Sequence, residues 1–156
     1  MRRKDREVTE ETRIDEIIRA CDCCRLGFSD GRQVYIVPLS FGYTSENGCR
    51  TFYFHSAKEG RKLELMRRGG SVGFELDTNF RLNGAETACG HSVRFQSVIG
   101  SGRITFAETE DEKREGLQRI MEQYTGRGGW TFEEKMLAET CVYRLTVEEL
   151  SCKEHA

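Results

Sequence analysis

The spacing of apolar residues changes along the chain from a helical period to a strand period. Near the N-terminus, apolar residues recur at i, i+3, i+4 and i+7, which predicts an amphipathic helix. These residues are Ile14, Ile17, Ile18 and Cys21. Thr9 or Thr12 is suited to cap this helix, and Asp15 completes a capping box if Thr12 is the cap. The charged residues 1–8 are predicted to form a flexible lead-in.

Two turn signals divide the strand-like segments that follow Cys24. Asp30-Gly31 and Asn47-Gly48 are residue pairs typical of tight hairpins, so they separate three predicted strands. Pro38 lies within the second of these strands. A proline cannot donate to a strand ladder, so an edge strand or a bulge is predicted at this point.

A helix, a strand and a loop are predicted next. The helix covers about residues 57–68, and Gly69-Gly70 ends it. Alternating apolar residues predict a strand over 71–77. Residues 79–91 show no clear period and are predicted to form a loop.

The second half of the chain continues with a long predicted strand over residues 92–108. Gly100 and Gly102 lie near a change in its inward-facing residues, which favours a bend or bulge of a small barrel. Thr109 then begins a helix, with Glu112 at the capping-box position.

A short helix over 131–139 and a strand over 140–150 complete the predicted order. The short links between successive strands favour an antiparallel barrel over a doubly wound sheet. The chain is therefore predicted to be mainly β with flanking helices (α+β), with six antiparallel strands in one domain over residues 1–156.

Composition narrows the classes of function. The net charge of −2 argues against a broad nucleic-acid-binding face, and no apolar stretch approaches the ~20 residues of a membrane span. The N-terminus has no apolar signal region, so a cytoplasmic location is expected. Seven cysteines are then expected to be reduced thiols. A zinc site built on the CDCC segment with Cys89 and His91 is an alternative, whereas the prediction is no metal.

The segment YFHSAKEGRK, residues 53–62, concentrates polar groups where a strand is predicted to meet a helix. Ser56 and Glu59 have the spacing of a capping box, and a helix start attracts anions. Gly60 leaves room for a ligand, and Lys58, Arg61 and Lys62 add positive charge. The segment fits either a phosphate site or simply a well-capped helix.

His55 and two strand segments supply further candidate groups. The imidazole of His55 can exchange a proton near neutral pH, although it equally fits a structural role. Gln96 and Ser97 are polar residues in an otherwise apolar strand, and an outward-facing polar position explains them as well. Around Pro38, unpaired backbone groups of residues 39–41 are expected to be available to a planar ligand.

The stretches IVPLSFGY, FYFHSAKEGRKLELM, VGFELD and SVIGSGRITF together resemble the FMN-binding split β-barrel proteins related to pyridoxamine 5'-phosphate oxidase. Within that family, the chain is most similar to the group of 5-nitroimidazole-resistance reductases. The resemblance covers about residues 15–147. It implies a split barrel that forms a homodimer, with FMN at the subunit interface and a small-molecule substrate.

Position by position, the resemblance implies that His55 and Ser56 meet the phosphate and ribityl chain of FMN. It implies that Arg61 and Lys62 bind the phosphate beside Gly60. The remaining residues implied to contact the cofactor are Pro38, Leu39, Ser40, Gln96, Ser97 and Val98. The substrate motif of the oxidase is not found after Val147, which argues against pyridoxamine phosphate as the substrate.

The leading hypothesis is therefore an FMN-dependent oxidoreductase acting on a small nitroaromatic or quinone-like substrate. His55 is its candidate catalytic residue, either as a proton donor or as a holder of the phosphate. The alternative is a non-catalytic protein that binds FMN or haem, with His55 or His91 as the iron ligand.

Overall fold

A computed structural model describes residues 3–155. The strands form one antiparallel sheet that curls around the core. Its strands are β1 Glu7–Val8, β2 Cys24–Ser29, β3 Val34–Leu39, β4 Gly42–Glu46, β5 Cys49–Ala57, β6 Val72–Asn83, β7 Ser92–Phe106 and β8 Thr140–His155. Its helices are α1 Glu11–Arg19, α2 Arg61–Arg67, α3 Glu110–Thr125 and α4 Glu134–Glu139, with short 3-10 turns at Lys4–Arg6 and Ala88–Gly90.

The strand order is β3-β2-β6-β7-β8-β5-β4, and β1 pairs with the end of β8. Because the order begins at β3 and ends at β4 without a pairing between them, the barrel is split rather than closed. The predicted mainly β, antiparallel α+β fold is confirmed. The sheet has eight strands where six were predicted, because the second predicted strand breaks at Ser40-Phe41 and residues 7–8 pair with β8.

The beginning of the chain differs from the prediction in two respects. Residues 3–8 form a turn and a strand in place of a flexible lead-in, whereas residues 1–2 lie outside the described part. Helix α1 is confirmed, with its apolar side chains buried, but Glu10 caps it instead of Thr12. The Glu10 carboxylate accepts the backbone N–H groups of Thr12 and Arg13, while Asp15 is bonded to Tyr43.

The two predicted hairpins are confirmed. Residues Asn47 and Gly48 both have positive φ angles, 52° and 77°, as a tight turn between β4 and β5 requires. Pro38 lies in β3, which ends the strand order, so the predicted edge position is also confirmed.

The sheet extends into part of the predicted loop. Strand β6 continues to Asn83, and a bulge at residues 79–80 lets the strand pair with β7 beyond Thr78. The glycines of β7 permit close approach, because a Cβ on Gly100 would lie 2.1 Å from the Glu149 carbonyl oxygen. The register shift lies next to Gly102, where β8 carries one extra residue.

Helix α3 has the predicted Thr109–Glu112 capping box, and it packs against β4 and β5. Gly42 makes this packing possible, since an added Cβ would lie 2.4 Å from the carbonyl carbon of Arg119. The barrel interior is filled by aromatic and aliphatic side chains, including the stacked pair Phe54 and Tyr143. Within residues 3–155, no helix is long and apolar enough to cross a membrane.

Candidate functional site

The predicted capping box at the end of β5 is wrong. Strand β5 pairs with β8 as far as Ala57, so Ser56 has an extended backbone and its hydroxyl donates to the Ala57 carbonyl oxygen at 2.8 Å. Helix α2 begins only at Arg61. Gly60 precedes it with a φ of 128°, a conformation that favours glycine, and no side chain caps the helix. The local capping preference is overridden here by the sheet.

His55 and Ser56 present their side chains to opposite faces of the sheet, because side chains alternate along a strand. Ser56 shares the core-facing side with Phe54, which is fully buried. His55 shares the other face with Tyr53, which lies beside Gly116 of α3. A ligand that touches both residues must therefore lie at the end of the sheet rather than on one face.

Lys62 brings a half-buried positive charge to this end of the barrel. No carboxylate pairs with it among residues 3–155, and burial lowers the pKa of its ammonium. Burial also lowers the pKa of His55, and the charge of Lys62 lowers it further. His55 is therefore mainly neutral at pH 7, and the neighbouring cation lacks an anion.

Further cations surround the Cys141 thiol, which lies opposite Ser56 in the sheet. Burial raises the pKa of Cys141, and four nearby cations lower it. These groups are Lys58, Lys62, Arg67 and Lys113. We call these four side chains, together with His55, the cation cluster. Such a concentration of unneutralised charge favours a bound phosphate.

Two cations of the cluster are held by backbone carbonyl groups. The guanidinium of Arg67 donates to the carbonyl oxygen of Lys58 at 3.4 Å. The ammonium of Lys113 donates to the carbonyl oxygen of Leu137 at 2.9 Å. These neutral partners orient the side chains but leave their charges uncompensated. Sequence analysis missed Arg67, Lys113 and Cys141, because only strand pairing and helix packing bring them to residues 55–62.

Arg61, predicted to share the phosphate with Lys62, is already engaged elsewhere. Its guanidinium donates to the Gln33 side-chain oxygen at 2.8 Å and lies over the Tyr35 ring at 5.1 Å. These contacts tie the start of α2 to β3. Arg61 therefore contributes charge near the cluster, whereas Lys62 has the freer cationic group.

The segment Pro38–Ser40 leads from β3 to β4, which are the first and last strands of the strand order. Pro38 is exposed, whereas the Leu39 side chain packs against the core. The N–H group of Phe41 donates to the Tyr124 hydroxyl at 3.1 Å, and this hydroxyl donates to the Asp22 carbonyl oxygen at 2.9 Å. The expectation that the Phe41 N–H is available to a ligand is thus wrong, since α3 already engages it.

The three candidate residues of β7 have different environments. Val98 is fully buried in the core, so its side chain cannot line an external ligand site. Gln96 is 8% exposed, and its amide bonds with Asn79 and Glu154 at 2.6 Å each. Ser97 alternates with these two and faces the outside of the barrel.

The β7 residues also lie far from the cation cluster within one chain. Strand β8 pairs with both regions, through Val142 opposite His55 and through Lys153 opposite Ser97. At about 3.3 Å per residue, the strand between these two positions is roughly 35 Å long. One chain therefore does not bring Ser97 and His55 to a single flavin.

The zinc alternative finds no ligand set in the part of the chain that the structure describes. Residues 3–155 contain no group of three or more His, Cys, Asp or Glu side chains positioned to hold a metal ion. Cys21 and Cys24 are buried, and burial raises the pKa of each thiol. Cys89 and His91 are exposed at the short turn between β6 and β7.

Solved structures with the same fold include flavin- and haem-containing proteins. A Bacteroides thetaiotaomicron protein, provisionally named a 5-nitroimidazole antibiotic resistance protein, is 29% identical, with a TM-score of 0.81 over 95% of this chain and 86% of that chain. A flavocytochrome from Azotobacter vinelandii is 19% identical, with a TM-score of 0.81 over 100% and 72% of the two chains. An FAD- and haem-binding protein from Mycobacterium smegmatis is 16% identical, with a TM-score of 0.80 over 96% and 73%.

Comparison with curated proteins gave no match. The family model described as pyridoxamine 5'-phosphate oxidase matches residues 10–154, which include the whole cation cluster and the strands from β2 onward except the last residue of β8. The match agrees with the split antiparallel barrel and with the resemblance of the motifs. The chain therefore belongs to the pyridoxamine 5'-phosphate oxidase family.

Proposed function

We propose that the protein is an FMN-dependent oxidoreductase that reduces a small nitroaromatic or quinone-like substrate. The observation that carries the proposal is the half-buried Lys62 ammonium, which has no anionic partner within residues 3–155 and lies among other cations. A phosphate monoester supplies the missing negative charge. Membership of the family and the likeness to flavin-binding proteins support a flavin as the molecule that carries this phosphate.

The residues of the cation cluster have distinct roles in this proposal. Lys62 binds a phosphate oxygen through a charge-assisted hydrogen bond, and Lys58 and Lys113 add to the positive potential. His55, neutral at pH 7, donates one hydrogen bond to the phosphate or exchanges a proton with the substrate. Bound FMN would supply hydride transfer from its reduced ring, while the protein provides orientation and electrostatics.

A homodimer with the flavin at its interface completes the proposal. The face shared by β2, β3, β6 and β7 exposes Val34, Ile36 and Ile99 by 74%, 63% and 50%. Gly27 pairs with Ile36 and with Gly73, so this row of the face is flat, and the next row carries Arg25 and Glu75 beside Ile99. Exposed apolar surface of this kind is typical of an interface. Ser97 lies on this same face, two residues before Ile99, so a second subunit seated there would lie against it.

The reductase activity can be tested with FMN-loaded protein, NADH or NADPH, and a nitroaromatic or a quinone. The proposal predicts oxidation of the nicotinamide that depends on the acceptor and is reduced in His55→Gln if the imidazole transfers a proton. Tight FMN binding without turnover with any acceptor would instead indicate a passive flavin carrier. A Soret band on haem addition that is lost in His55→Ala or His91→Ala would favour the haem-binding alternative.

A further inference from the structure

A second concentration of positive charge lies at the opposite end of the barrel. Arg81 of β6 and Arg94 of β7 are direct cross-strand partners, just beyond the bulge at residues 79–80. Side chains at such positions leave the same face with Cβ atoms about 5 Å apart. Both residues are exposed, and like charges in this arrangement destabilise a sheet.

The neighbouring acidic group does not neutralise these two arginines. Within residues 3–155, neither guanidinium forms an ion pair or a side-chain hydrogen bond. The nearby Glu154 carboxylate is instead bound by Arg13 at 2.6 and 3.1 Å and by Gln96 at 2.6 Å. The Glu154 carboxylate is thus already engaged by Arg13 and Gln96, although it lies on the same face of the sheet as Arg94.

The arginine pair lines an open cavity of about 190 Å³. The other lining residues are Asn79, Phe95, Gln96, Glu154 and His155. The hydrogen bond from Asn79 to Gln96 fixes both amides, and Asn79 holds a positive φ of 56° in the bulge. Strained bulges are over-represented beside functional sites because they re-aim side chains.

His155 lines the cavity, and its ring contacts Arg6. The Nδ1 atom of His155 lies 2.6 Å from the Val93 carbonyl oxygen, so this nitrogen carries the proton. The Nε2 atom then accepts from Arg6 at 3.3 Å. Arg6 also lies over the Phe95 ring, 5.9 Å from its centroid. Phe95 therefore adds an apolar ring to the cavity lining, whereas Arg6 is not itself a lining residue.

We propose that Arg81 and Arg94 form an anion-binding site for a small ligand with a phosphate or carboxylate group, separate from the cation cluster. Two guanidinium groups on one face can grip such a group through forked hydrogen bonds. The cavity has room for the anionic group and a small organic substituent beside Phe95. Binding would relieve the repulsion between the two facing charges.

The test uses isothermal titration calorimetry at low ionic strength, with inorganic phosphate and malonate as probes of the two ligand classes. It is carried out without flavin in the Lys62→Met background, which weakens anion binding at the cation cluster. All arginine variants carry the same background, so any residual binding at the cluster is common to all of them. We expect one site per chain for at least one probe. Arg81→Gln and Arg94→Gln should each weaken binding at least tenfold, and Arg94→Lys should weaken it less.

Arg103→Gln is the matched control, since Arg103 is an exposed arginine of the same strand that pairs with Glu148. It should leave the affinity unchanged. Melting temperatures check that the variants fold, and both exposed arginine positions should tolerate glutamine. Failure of both probes to bind, or equal affinity in the two glutamine variants and Arg103→Gln, would overturn the proposal.

Discussion

The ammonium of Lys62 in α2 lies close enough to the ring of His55 in β5 that its charge lowers the pKa of the histidine. The Lys62 side chain is half-buried, and no acidic side chain of residues 3–155 pairs with it. The arrangement costs stability in the free protein, because a partly desolvated cation has no counter-charge. A bound phosphate would remove that cost.

Replacing Lys62 with methionine should weaken FMN binding and stabilise the free protein at the same time. Loss of a charge-assisted hydrogen bond to the phosphate costs about 1.5–3 kcal/mol, or roughly 10- to 150-fold in Kd. The flavin-free variant should unfold at a slightly higher temperature, since its half-buried side chain no longer carries a charge. Fluorescence titration and thermal unfolding measure the two effects, and Lys135→Met, at an exposed lysine of α4, should change neither.

The same lysine gives a pH signature in the free protein. Because its pKa is lowered in the folded state, the unfolded chain binds more protons between that pKa and the ordinary value near 10.5. The free energy of unfolding of the wild type should therefore rise with pH through this window, relative to that of Lys62→Met, because Lys62 loses its unpaired charge. Parallel pH profiles for the two proteins would contradict the assignment.

Protonation of His55 should be coupled to flavin binding. The lowered pKa of His55 means that acidification below about pH 6.5 destabilises the free protein, because the unfolded chain then binds more protons. A bound phosphate raises this pKa, so FMN binding should take up a proton as the pH falls through about 6.5. Calorimetry in buffers of different ionisation enthalpy measures the uptake.

Variants separate this uptake from titration of the phosphate itself, whose second pKa is about 6. His55→Gln should lower the proton uptake, whereas His91→Gln, at an exposed histidine, should leave it unchanged. Riboflavin, which has no phosphate, should show no uptake linked to His55. An identical uptake in wild type and His55→Gln would place the phosphate away from this residue.

A charge introduced on the exposed outer face should prevent formation of the proposed dimer. Ile36→Glu should convert a dimer to a monomer, because a buried unpaired carboxylate at an interface is strongly unfavourable. Light scattering should give twice the 17.9 kDa chain mass for the wild type and about one chain mass for the variant. Met136→Glu is the control, since Met136 is a 56% exposed apolar residue of α4. A monomeric wild type would contradict the dimer.

Tyr124 is expected to stabilise the link between β3 and β4. Tyr124→Phe removes the acceptor for the buried Phe41 N–H group and the donor to the Asp22 carbonyl oxygen. The expected loss is about 1–3 kcal/mol, with a fall in melting temperature of about 2–4 °C per kcal/mol. Tyr35→Phe, which keeps the ring beneath Arg61, should change stability little. Equal melting temperatures for both variants would show that the link does not depend on this hydroxyl.

Local signals predicted much of this fold. The Asn47-Gly48 turn, the Thr109–Glu112 capping box and the apolar face of α1 each depend on residues close in sequence, and all three are confirmed. The Ser56–Glu59 cap failed although its sequence pattern is equally good. Pairing of β5 with β8, more than 80 residues away, holds Ser56 extended, and no local pattern reveals that pairing.

The candidate site could also be predicted only in part, because long-range packing completes it. Sequence analysis selected His55, Arg61 and Lys62 because they lie together in one segment. It did not select Lys113, which reaches the cluster from α3, and it could not show that Arg61 is engaged by Gln33. Long-range packing decides which cations remain without an anionic partner. The sequence could therefore indicate the segment that contains the phosphate site, but not the full set of cations that form it.

The absorbance spectrum of the purified protein tests the central claim most directly. If the cation cluster holds the phosphate of FMN, the protein should be yellow, or become so on addition of FMN, with one flavin per chain and much weaker binding of riboflavin. A colourless protein that binds neither FMN nor riboflavin would contradict the claim. Equal affinity for FMN and riboflavin would contradict the role of the cation cluster.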